Sequence, residues 1–161
     1  MLRVNIICIG KIKERYFADG IAEYAKRLGA FCKFSVIELA EERLRDNSPS
    51  PARTAEVVNA EGARILQKTG AGDFVIAMCI EGKQLSSEEL AEKLERLAVE
   101  GKSTVDFIIG GSYGLSEQVK SRAELRLSMS KMTFPHTLAR LMLSEQIYRA
   151  FEINSNGKYH K

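Results

Sequence analysis

The sequence predicts an α/β fold, a mainly parallel sheet with helices on both faces. Strand-like and helix-like segments alternate along the 161 residues, and this order is typical of a parallel sheet joined by crossover helices. The candidate strands are apolar at successive positions rather than at every second one, so both of their faces are expected to be buried. A chain of this length supports one hydrophobic core, and we expect a single domain over residues 1–161.

The first half of the chain alternates β-branched runs with segments whose apolar residues have helical spacing. The run LRVNIICIG ends at Gly10, and the following helical pattern stops at Gly29. Pro49 and Pro51 are expected to exclude regular structure from the polar segment before the second helix. In order, the predicted elements are a strand at 2–10, a helix at 11–29, a strand at 33–39, a loop at 40–53 and a helix at 54–66.

The second half continues the alternation. Ser86 or Ser87 begins a helix, and Glu89 lies three residues after Ser86, the spacing of a capping box. The predicted elements are a turn at 69–73, a strand at 74–80, a helix at 86–101, a strand at 104–111, a short helix from near Ser116, a strand at 125–130 and a final helix entered through Pro135. We find no internal repeat and no low-complexity segment.

The final helix is apolar around most of its circumference, which a helix covering one face of a sheet does not need. At about 100° per residue its apolar side chains leave no wholly polar side. These side chains are Leu138, Leu141, Met142, Leu143, Ile147, Tyr148 and Phe151. The pattern predicts cover on more than one side of this helix.

The composition excludes several classes of protein. Cys8, Cys32 and Cys79 are widely spaced without a C-x-x-C pair, and the chain has two histidines, so we predict buried thiols rather than disulfides or a metal site. The longest apolar run, 74–80, is far shorter than the roughly 20 residues of a membrane span. The start of the chain has no basic leader or cleavage signal, and we expect a cytosolic protein without membrane association.

The positive charge is concentrated at one end of the chain. Residues 120–161 carry eight Lys or Arg and three Glu, a local charge of +5, which leaves −2 for residues 1–119 and gives the net +3. This asymmetry is compatible with a polyanionic partner, although solubility alone produces similar imbalances.

Glycines or hydroxyl residues follow three of the predicted strands. FIIGGSYGLS places Gly110, Gly111 and Gly114 directly after a buried strand, IEGKQLSS at 80–87 follows another, and SMSKMTFPH at 128–136 follows a third. Open α/β sheets bind ligands at the carboxyl ends of their strands. The spacing is neither that of a dinucleotide fingerprint nor that of a phosphate loop. Each segment alone also suits an ordinary turn, whereas three on adjacent strands predict one pocket.

Three polar side chains of the last helix have two interpretations each. Glu145 and Arg149 are four residues apart with the acid first, the favourable orientation for a structural ion pair. The same pair also suits an active site. His136 is either a helix-entry residue that satisfies backbone groups or a functional side chain.

The end of the chain, NSNGKYHK, also has two interpretations. A terminus with Asn156 and Gly157 is expected to fray. Its last residues nevertheless offer three functions: Tyr159 can stack, His160 can act as acid or base, and Lys161 can pair with phosphate.

The chain resembles the RlmH family of small S-adenosylmethionine-dependent methyltransferases in the knotted SPOUT class. FIIGGSYGLS, LSMSKMTFPHTLARLMLSEQIYRA and the terminal YHK carry the resemblance, with GKIKE and AEYAKRL near the start. The resemblance covers essentially the whole chain. It implies methylation of N3 of a pseudouridine in the 23S rRNA of the large ribosomal subunit.

The resemblance also implies a C-terminal trefoil knot, a homodimer formed through the C-terminal helices, and a site composed of matching positions. One side of the last helix would then cover its own sheet while another meets the partner, with Leu143 and Ile147 as candidate contacts. The implied cofactor contacts are Met78, Gly110, Met129, Ser130, Lys131, Met132, Thr133 and Phe134. The implied active-site residues are Glu145, Arg149, Tyr159, His160 and Lys161, with the tail of one subunit completing the pocket of the other.

One position departs from the family pattern. Family members often have an acidic residue where this chain has Cys79, which puts a direct catalytic role for that position in doubt. Our hypothesis is that His160 contacts the target base, that Glu145 orients Arg149 to stabilise a developing anion, and that Lys161 meets phosphate. The competing hypotheses are a non-catalytic RNA-binding factor for ribosome assembly and a nucleotide-binding regulatory module.

Overall fold

The computed structural model describes residues 1–44 and 50–161. Strands and helices alternate along it as predicted. The strands are β1 Arg3–Ile9, β2 Lys33–Leu39, β3 Phe74–Gln84, β4 Thr104–Ile109 and β5 Leu125–Ser128. The helices are α1 Arg15–Leu28, α2 Pro51–Gln67, α3 Ser87–Val99, α4 Glu117–Arg122 and α5 His136–Asn154.

The described strands form one sheet in the order β2-β1-β4-β3-β5. Each neighbouring pair is parallel, so the carboxyl ends of all these strands lie at one edge of the sheet. Every residue of β1 after Arg3 and every residue of β4 after Thr104 is buried. These mostly apolar runs therefore belong to inner strands covered on both faces, which confirms the predicted fold class.

Helices pack on both faces of the sheet through separate apolar clusters. On one face Leu28 of α1, Leu94 of α3 and Ile147 of α5 belong to the larger cluster. On the other face Ile65 of α2 and Val119 of α4 pack with side chains from the inner strands. Since successive residues of a strand point to opposite faces, Ile6 enters the first cluster and Ile7 the second.

Serines before α2, α3 and α4 explain where these helices start. Ser86 and Glu89 form the predicted capping box of α3, and the Ser116 hydroxyl accepts from the Val119 N–H at the start of α4. The prediction that Pro51 lies in a loop is wrong, because α2 begins at this residue and Ser50 caps it. Proline fits the first helical position, where its missing N–H has no intrahelical partner. The same expectation for Pro49 lies outside the described residues.

The last helix, α5, lies between α1 and α3 on one face of the sheet. The expectation that Leu143 and Ile147 contact a partner subunit is wrong, because they are 1% and 0% exposed within their own chain. Arg140 is also buried, and it donates to Glu38 at 2.7 Å and to the carbonyl oxygen of Gly10 at 3.1 Å. These contacts connect the start of α5 to the carboxyl edge of the sheet. The trefoil knot stays a prediction.

A buried carboxyl group in β4 makes the stability of the fold depend on pH. Asp106 is 0% exposed and accepts from the Asn5 amide at 2.8 Å. Burial, assisted by the neighbouring Asp73, raises the pKa of Asp106 to about 7. A carboxyl whose pKa is raised on folding stabilises the fold at a pH below its unfolded pKa of about 3.9. That contribution is lost as the pH rises through 7.

We therefore expect Asp106→Asn to be more stable than the wild type at pH 8, because the amide reproduces the neutral form of the side chain. One pKa unit corresponds to about 1.4 kcal/mol, so a pKa raised from about 3.9 to about 7 gives a gain on the order of 4 kcal/mol. It should disappear below about pH 4, where both side chains are neutral. Urea unfolding at the two pH values measures the difference, and an equal difference at both would contradict the assignment.

Candidate active site

A cavity of about 160 Å³ lies at the carboxyl ends of β3, β4 and β5, which are neighbours in the sheet. The prediction that the three strand exits outline one pocket is confirmed in part: the segments after β4 and β5 line this cavity, whereas of residues 80–87 only Ile80 does. Seven of the eight residues expected to contact a cofactor line this cavity, whereas Lys131 is exposed and is not part of the lining. The seven are Met78, Gly110, Met129, Ser130, Met132, Thr133 and Phe134.

Gly110 stands where β4 leaves the sheet, and it has no room for a side chain. A Cβ atom there would lie 2.6 Å from the carbonyl oxygen of Gly114 and 3.0 Å from a methyl carbon of Leu115. Gly114 itself has a φ of +85°, in the region that favours glycine. The turn after β4 therefore folds back onto Gly110, and the two glycines keep it closed beside the cavity.

The exit of β3 contains a bulge that the sequence prediction missed. Met78 and Lys83 both pair with Leu127 of β5, so residues 79–82 leave the ladder and the strand then continues to Gln84. At Gly82 a Cβ atom would lie 2.7 Å from the backbone carbonyl carbon of Arg126. The prediction that the strand ends at residue 80 is wrong, because the bulge interrupts the pairing without ending it.

The loop between β5 and α5 is folded by its own serines. The Ser128 hydroxyl donates to the carbonyl oxygen of Ser130 at 2.9 Å, and the Met132 N–H donates to the Ser130 hydroxyl at 3.0 Å. β5 ends at Ser128 rather than at residue 130 because these bonds replace the strand ladder. The serines therefore shape the cavity wall as well as offering polar groups to a ligand.

Eight further residues line the cavity that were not among the implied cofactor contacts. They are Cys79, Ile80, Ile109, Gly111, Leu127, Ser128, His136 and Ala139. Burial raises the pKa of the Cys79 thiol, so this cysteine stays protonated near neutral pH and is a poor nucleophile. His136 has a buried Nδ1 atom without a hydrogen-bond partner among the described residues. Its position at the entry of the last helix was the sequence feature that could have assigned it to the cavity.

A second cavity, of about 330 Å³, adjoins the first. Met78, Leu127, Ser128 and Met129 line both cavities. The other walls of the second cavity come from α3 with its preceding loop and from α5: Leu85, Ser86, Ser87, Leu90, Met142, Leu143 and Gln146. It is mostly apolar, and its polar groups are the hydroxyls of Ser86, Ser87 and Ser128 and the amide of Gln146.

Glu145, Arg149 and Tyr159 form one polar cluster next to the second cavity. The Arg149 guanidinium donates to the Glu145 carboxylate through Nε at 2.8 Å and pairs with it through Nη2 at 2.7 Å. The Tyr159 hydroxyl donates to the same carboxylate at 3.1 Å, and its ring lies 4.7 Å from the guanidinium carbon. The Gln146 amide donates to Glu145 at 2.9 Å and accepts from the Ser87 hydroxyl at 2.7 Å. Gln146 thus connects the cluster to the cavity wall.

His160 joins this cluster through both of its ring nitrogens. Nδ1 lies 3.0 Å from Nη1 of Arg149, and Nε2 lies 2.6 Å from a carboxylate oxygen of Glu88 in α3. The expectation of a frayed terminus is therefore wrong for Tyr159 and His160, which pack on their own chain. Lys161 is exposed.

The cluster holds a fixed cation, Arg149, and a neutral phenol, Tyr159. The Glu145 bond raises the pKa of Arg149, which stays charged. Burial raises the pKa of Tyr159 well above its usual range, helped by its contact with the Tyr24 hydroxyl and by the charge of Glu145. Tyr159 is therefore a hydrogen-bond donor at neutral pH and not a base. The arrangement can stabilise negative charge near the second cavity.

In residues 1–44 and 50–161, no group of three or more His, Cys, Asp or Glu side chains is arranged to hold a metal ion. Over the same part of the chain, no helix combines the length and the apolar character needed to cross a membrane.

Comparison with known proteins gives matches over nearly the whole chain. A family described as "Predicted SPOUT methyltransferase" matches residues 2–160. A protein of Leuconostoc mesenteroides named "Ribosomal RNA large subunit methyltransferase H" is 50% identical over 160 residues, which are 99% of this chain and 100% of that protein. A protein of Streptococcus thermophilus with the same name is 52% identical over the same shares of the two chains.

Among solved structures, the chain is similar to a probable methylase family protein from Haemophilus influenzae Rd KW20. The TM-score is 0.51 at 16% sequence identity, with 99% of this chain and 70% of that chain covered. At this identity the similarity concerns the fold alone.

Proposed function

The chain belongs to the SPOUT methyltransferase family and, within it, to the RlmH family of large-subunit rRNA methyltransferases, and from that premise we propose that it methylates N3 of a pseudouridine in 23S rRNA. The methyl donor is proposed to be S-adenosylmethionine, and the place of action the cytoplasm. One observation carries the proposal: the first cavity, at the strand exits, and the cluster of Glu145, Arg149 and His160 were predicted separately, and both adjoin the second cavity. That cavity shares four lining residues with the first and is also lined by Gln146, which donates to Glu145.

The first cavity suits the proposed cofactor. Its walls are largely apolar, with Met78, Leu127 and Phe134 available to contact an adenine ring and a methionine chain. Gly110 lines this cavity, and its lack of a side chain lets the turn at Gly114 pack closely against the strand exit. When bound, S-adenosylmethionine supplies an electrophilic methyl group. The protein must then orient the acceptor nitrogen and exclude competing water.

We place the target base in the second cavity. A base that reacts at a ring nitrogen has to leave its stack to reach the enzyme, and the apolar walls of Leu90 and Met142 suit its faces. Gln146 uses one N–H on Glu145, and its second N–H can donate to a carbonyl oxygen of the base. The shared walls of the two cavities would bring N3 next to the methyl donor.

The N3 proton must leave before or during methyl transfer, and negative charge then develops on the base. Arg149 is held by Glu145 and His160, and its remaining N–H groups can donate to a carbonyl oxygen that flanks N3. Tyr159 and Cys79 both have raised pKa values, so neither is a base at neutral pH. We propose that the proton passes to water, that His160 acts mainly on Arg149, and that Lys161 meets phosphate.

The two competing functions predict different outcomes in simple assays. A non-catalytic RNA-binding assembly factor would bind ribosomes without transferring a methyl group, and a regulatory module would bind its nucleotide without RNA. We expect labelled methyl groups from S-adenosylmethionine to enter rRNA when intact ribosomes, separated subunits and free 23S rRNA are offered in parallel. Tight cofactor binding with no transfer to any of the three would favour the regulatory module.

We also propose that the chain forms a homodimer through α5. Leu138 and Leu141 of this helix are only partly buried by their own chain. A second subunit would cover such side chains and double the basic surface offered to rRNA.

A net charge of +3 is modest, and few phosphate contacts give limited affinity for free RNA. This supports recognition of an assembled ribosomal surface.

Replacing Leu138 with Glu is expected to weaken the dimer by roughly 10²-fold or more, because burying an unpaired charge costs several kcal/mol. Val99→Glu is the matched control, since Val99 is 83% exposed at the end of α3. Sedimentation equilibrium measures both variants. An intact Leu138→Glu dimer, or equal weakening in the control, would remove this part of α5 from the interface.

A further inference from the structure

Glu88 connects the start of α3 to the end of the chain. It is the second residue of the helix, and its carboxylate lies 2.6 Å from Nε2 of His160, which is 72 positions away in the sequence. Helix capping does not require this contact, because Ser86 and Glu89 already form the capping box. The neighbouring Ser87 holds Gln146, so two successive residues of α3 reach two parts of the polar cluster.

The partners of His160 determine which of its nitrogens carries the proton. A guanidinium has N–H donors and no acceptor, so Nδ1 must accept from Arg149 across their 3.0 Å contact. Glu88 is a carboxylate, and its contact with His160 lowers its pKa. It accepts the hydrogen bond, so the proton is on Nε2. The two contacts together select one neutral tautomer of His160.

That tautomer in turn fixes Arg149. Glu145 holds the guanidinium through Nε and Nη2, while Nη1 is directed at His160. If Nδ1 carried the proton, two donors would face each other and Arg149 would lose this partner. The orientation of Arg149 beside the second cavity therefore depends on Glu88, which does not line that cavity.

We propose that Glu88 is a positioning residue for methyl transfer: it holds His160 in the Nε2–H tautomer, which keeps Nδ1 as the acceptor for Arg149. This inference rests on the proposed function. A surface ion pair contributes little to stability, and the side chain of Glu88 is 62% exposed, so its replacement should act on turnover rather than on folding. A misplaced Arg149 would weaken stabilisation of charge that develops only in the transition state.

The test compares three variants. Glu88→Ala removes the acceptor, Glu88→Gln keeps an acceptor oxygen without the charge, and Glu92→Ala removes an exposed acid that pairs with Arg96 on the same helix. We expect Glu88→Ala to lower kcat for ribosomes roughly 10-fold, the scale of a lost charged hydrogen bond. Glu88→Gln should recover most of this loss, Glu92→Ala should match the wild type, and the Kd for S-adenosylmethionine should not change in any variant.

A second readout does not depend on activity. The ¹⁵N shifts of the His160 ring, measured on the full-length protein, report which nitrogen carries the proton. We expect the Nε2–H form in the wild type and in Glu88→Gln, and a mixture of tautomers in Glu88→Ala. An inactive wild type with this tautomer pattern would count against the proposed function and not against the contact. Wild-type kcat in Glu88→Ala, or an unchanged tautomer, would overturn the inference.

Discussion

Deletion of Tyr159, His160 and Lys161 is expected to lower methyl transfer to ribosomes by roughly 10² or more, the scale of a lost acid-base or positioning group. The deletion removes the Nδ1 acceptor of Arg149 and the phenol that donates to Glu145. The affinity for S-adenosylmethionine should change little, because the tail does not line the first cavity. Initial rates and cofactor titration measure the two effects separately.

Tyr159 also contributes to stability, so the deletion needs a control. Its ring packs edge-on against Tyr148 with centroids 4.9 Å apart, and such a pair contributes about 0.5–1.5 kcal/mol. A shorter deletion of His160 and Lys161 alone keeps this packing. It should retain the thermal midpoint of the wild type and still lose most of the turnover. Wild-type turnover in both deletions would contradict a role for the tail.

Mixed dimers show whether the tail acts in the active site of its own subunit or in that of its partner. Because the tail contacts Arg149 of its own chain, a tail-deleted chain mixed with an Arg149→Ala chain has no complete cluster, and we expect no recovery of activity. In a mixed dimer of a tail-deleted chain and a Gly110→Val chain, the first subunit keeps an intact first cavity. The second subunit keeps an intact cluster of Glu145, Arg149 and the tail. Recovery of activity in this second mixture would mean that the tail completes the active site of the partner subunit. No recovery would mean that the tail acts in the active site of its own subunit.

Gly110→Val is expected to abolish binding of S-adenosylmethionine, and Gly110→Ala to weaken it severely. The sequence suggests that a side chain would fill the space of the cofactor. The structure adds a more direct reason, since even a Cβ atom lies 2.6 Å from the carbonyl oxygen of Gly114 and the turn must shift. Displacement of a binding loop by about 1 Å can cost roughly 10²-fold in activity. Isothermal titration measures the cofactor affinity.

A second glycine provides the matched control for this experiment. At Gly72 a Cβ atom would have no heavy atom within 4 Å, so Gly72→Ala should bind the cofactor as the wild type does. Circular dichroism and the thermal midpoint check that the Gly110 variants still fold. A folded Gly110→Ala chain with unchanged affinity would exclude this turn from the cofactor site.

Much of the fold follows from local sequence patterns. The mostly apolar runs of β1 and β4 predict inner strands, and Ser86 with Glu89 predicts the start of α3 within one residue. The start of α2 and the length of β3 were predicted wrongly. In the first case Pro51 suits a loop and a first helical turn equally well. In the second, the bulge at 79–82 depends on the approach of β5, which is a long-range contact. That the chain is one domain stays a prediction.

Parts of the site could be predicted where glycines follow a strand or where two charged side chains are four residues apart on a helix. The glycines after β4 and the spacing of Glu145 and Arg149 are visible in the sequence, and the structure brings both groups to neighbouring cavities. Glu88 was not predictable, because an acidic residue in the first turn of a helix is common for electrostatic reasons alone. Its contact with His160 depends on how the tail folds back over α5, and no local pattern encodes that path.

The most direct test of the central claim is to find the modified nucleoside. Ribosomes that lack the modification are incubated with the protein and S-adenosylmethionine, and the 23S rRNA is then digested and analysed by mass spectrometry with fragment mapping. The account predicts one new methyl group, on N3 of a pseudouridine, which Arg149→Ala strongly reduces. A methyl group on another base or on ribose, or none in the presence of bound cofactor, would contradict it.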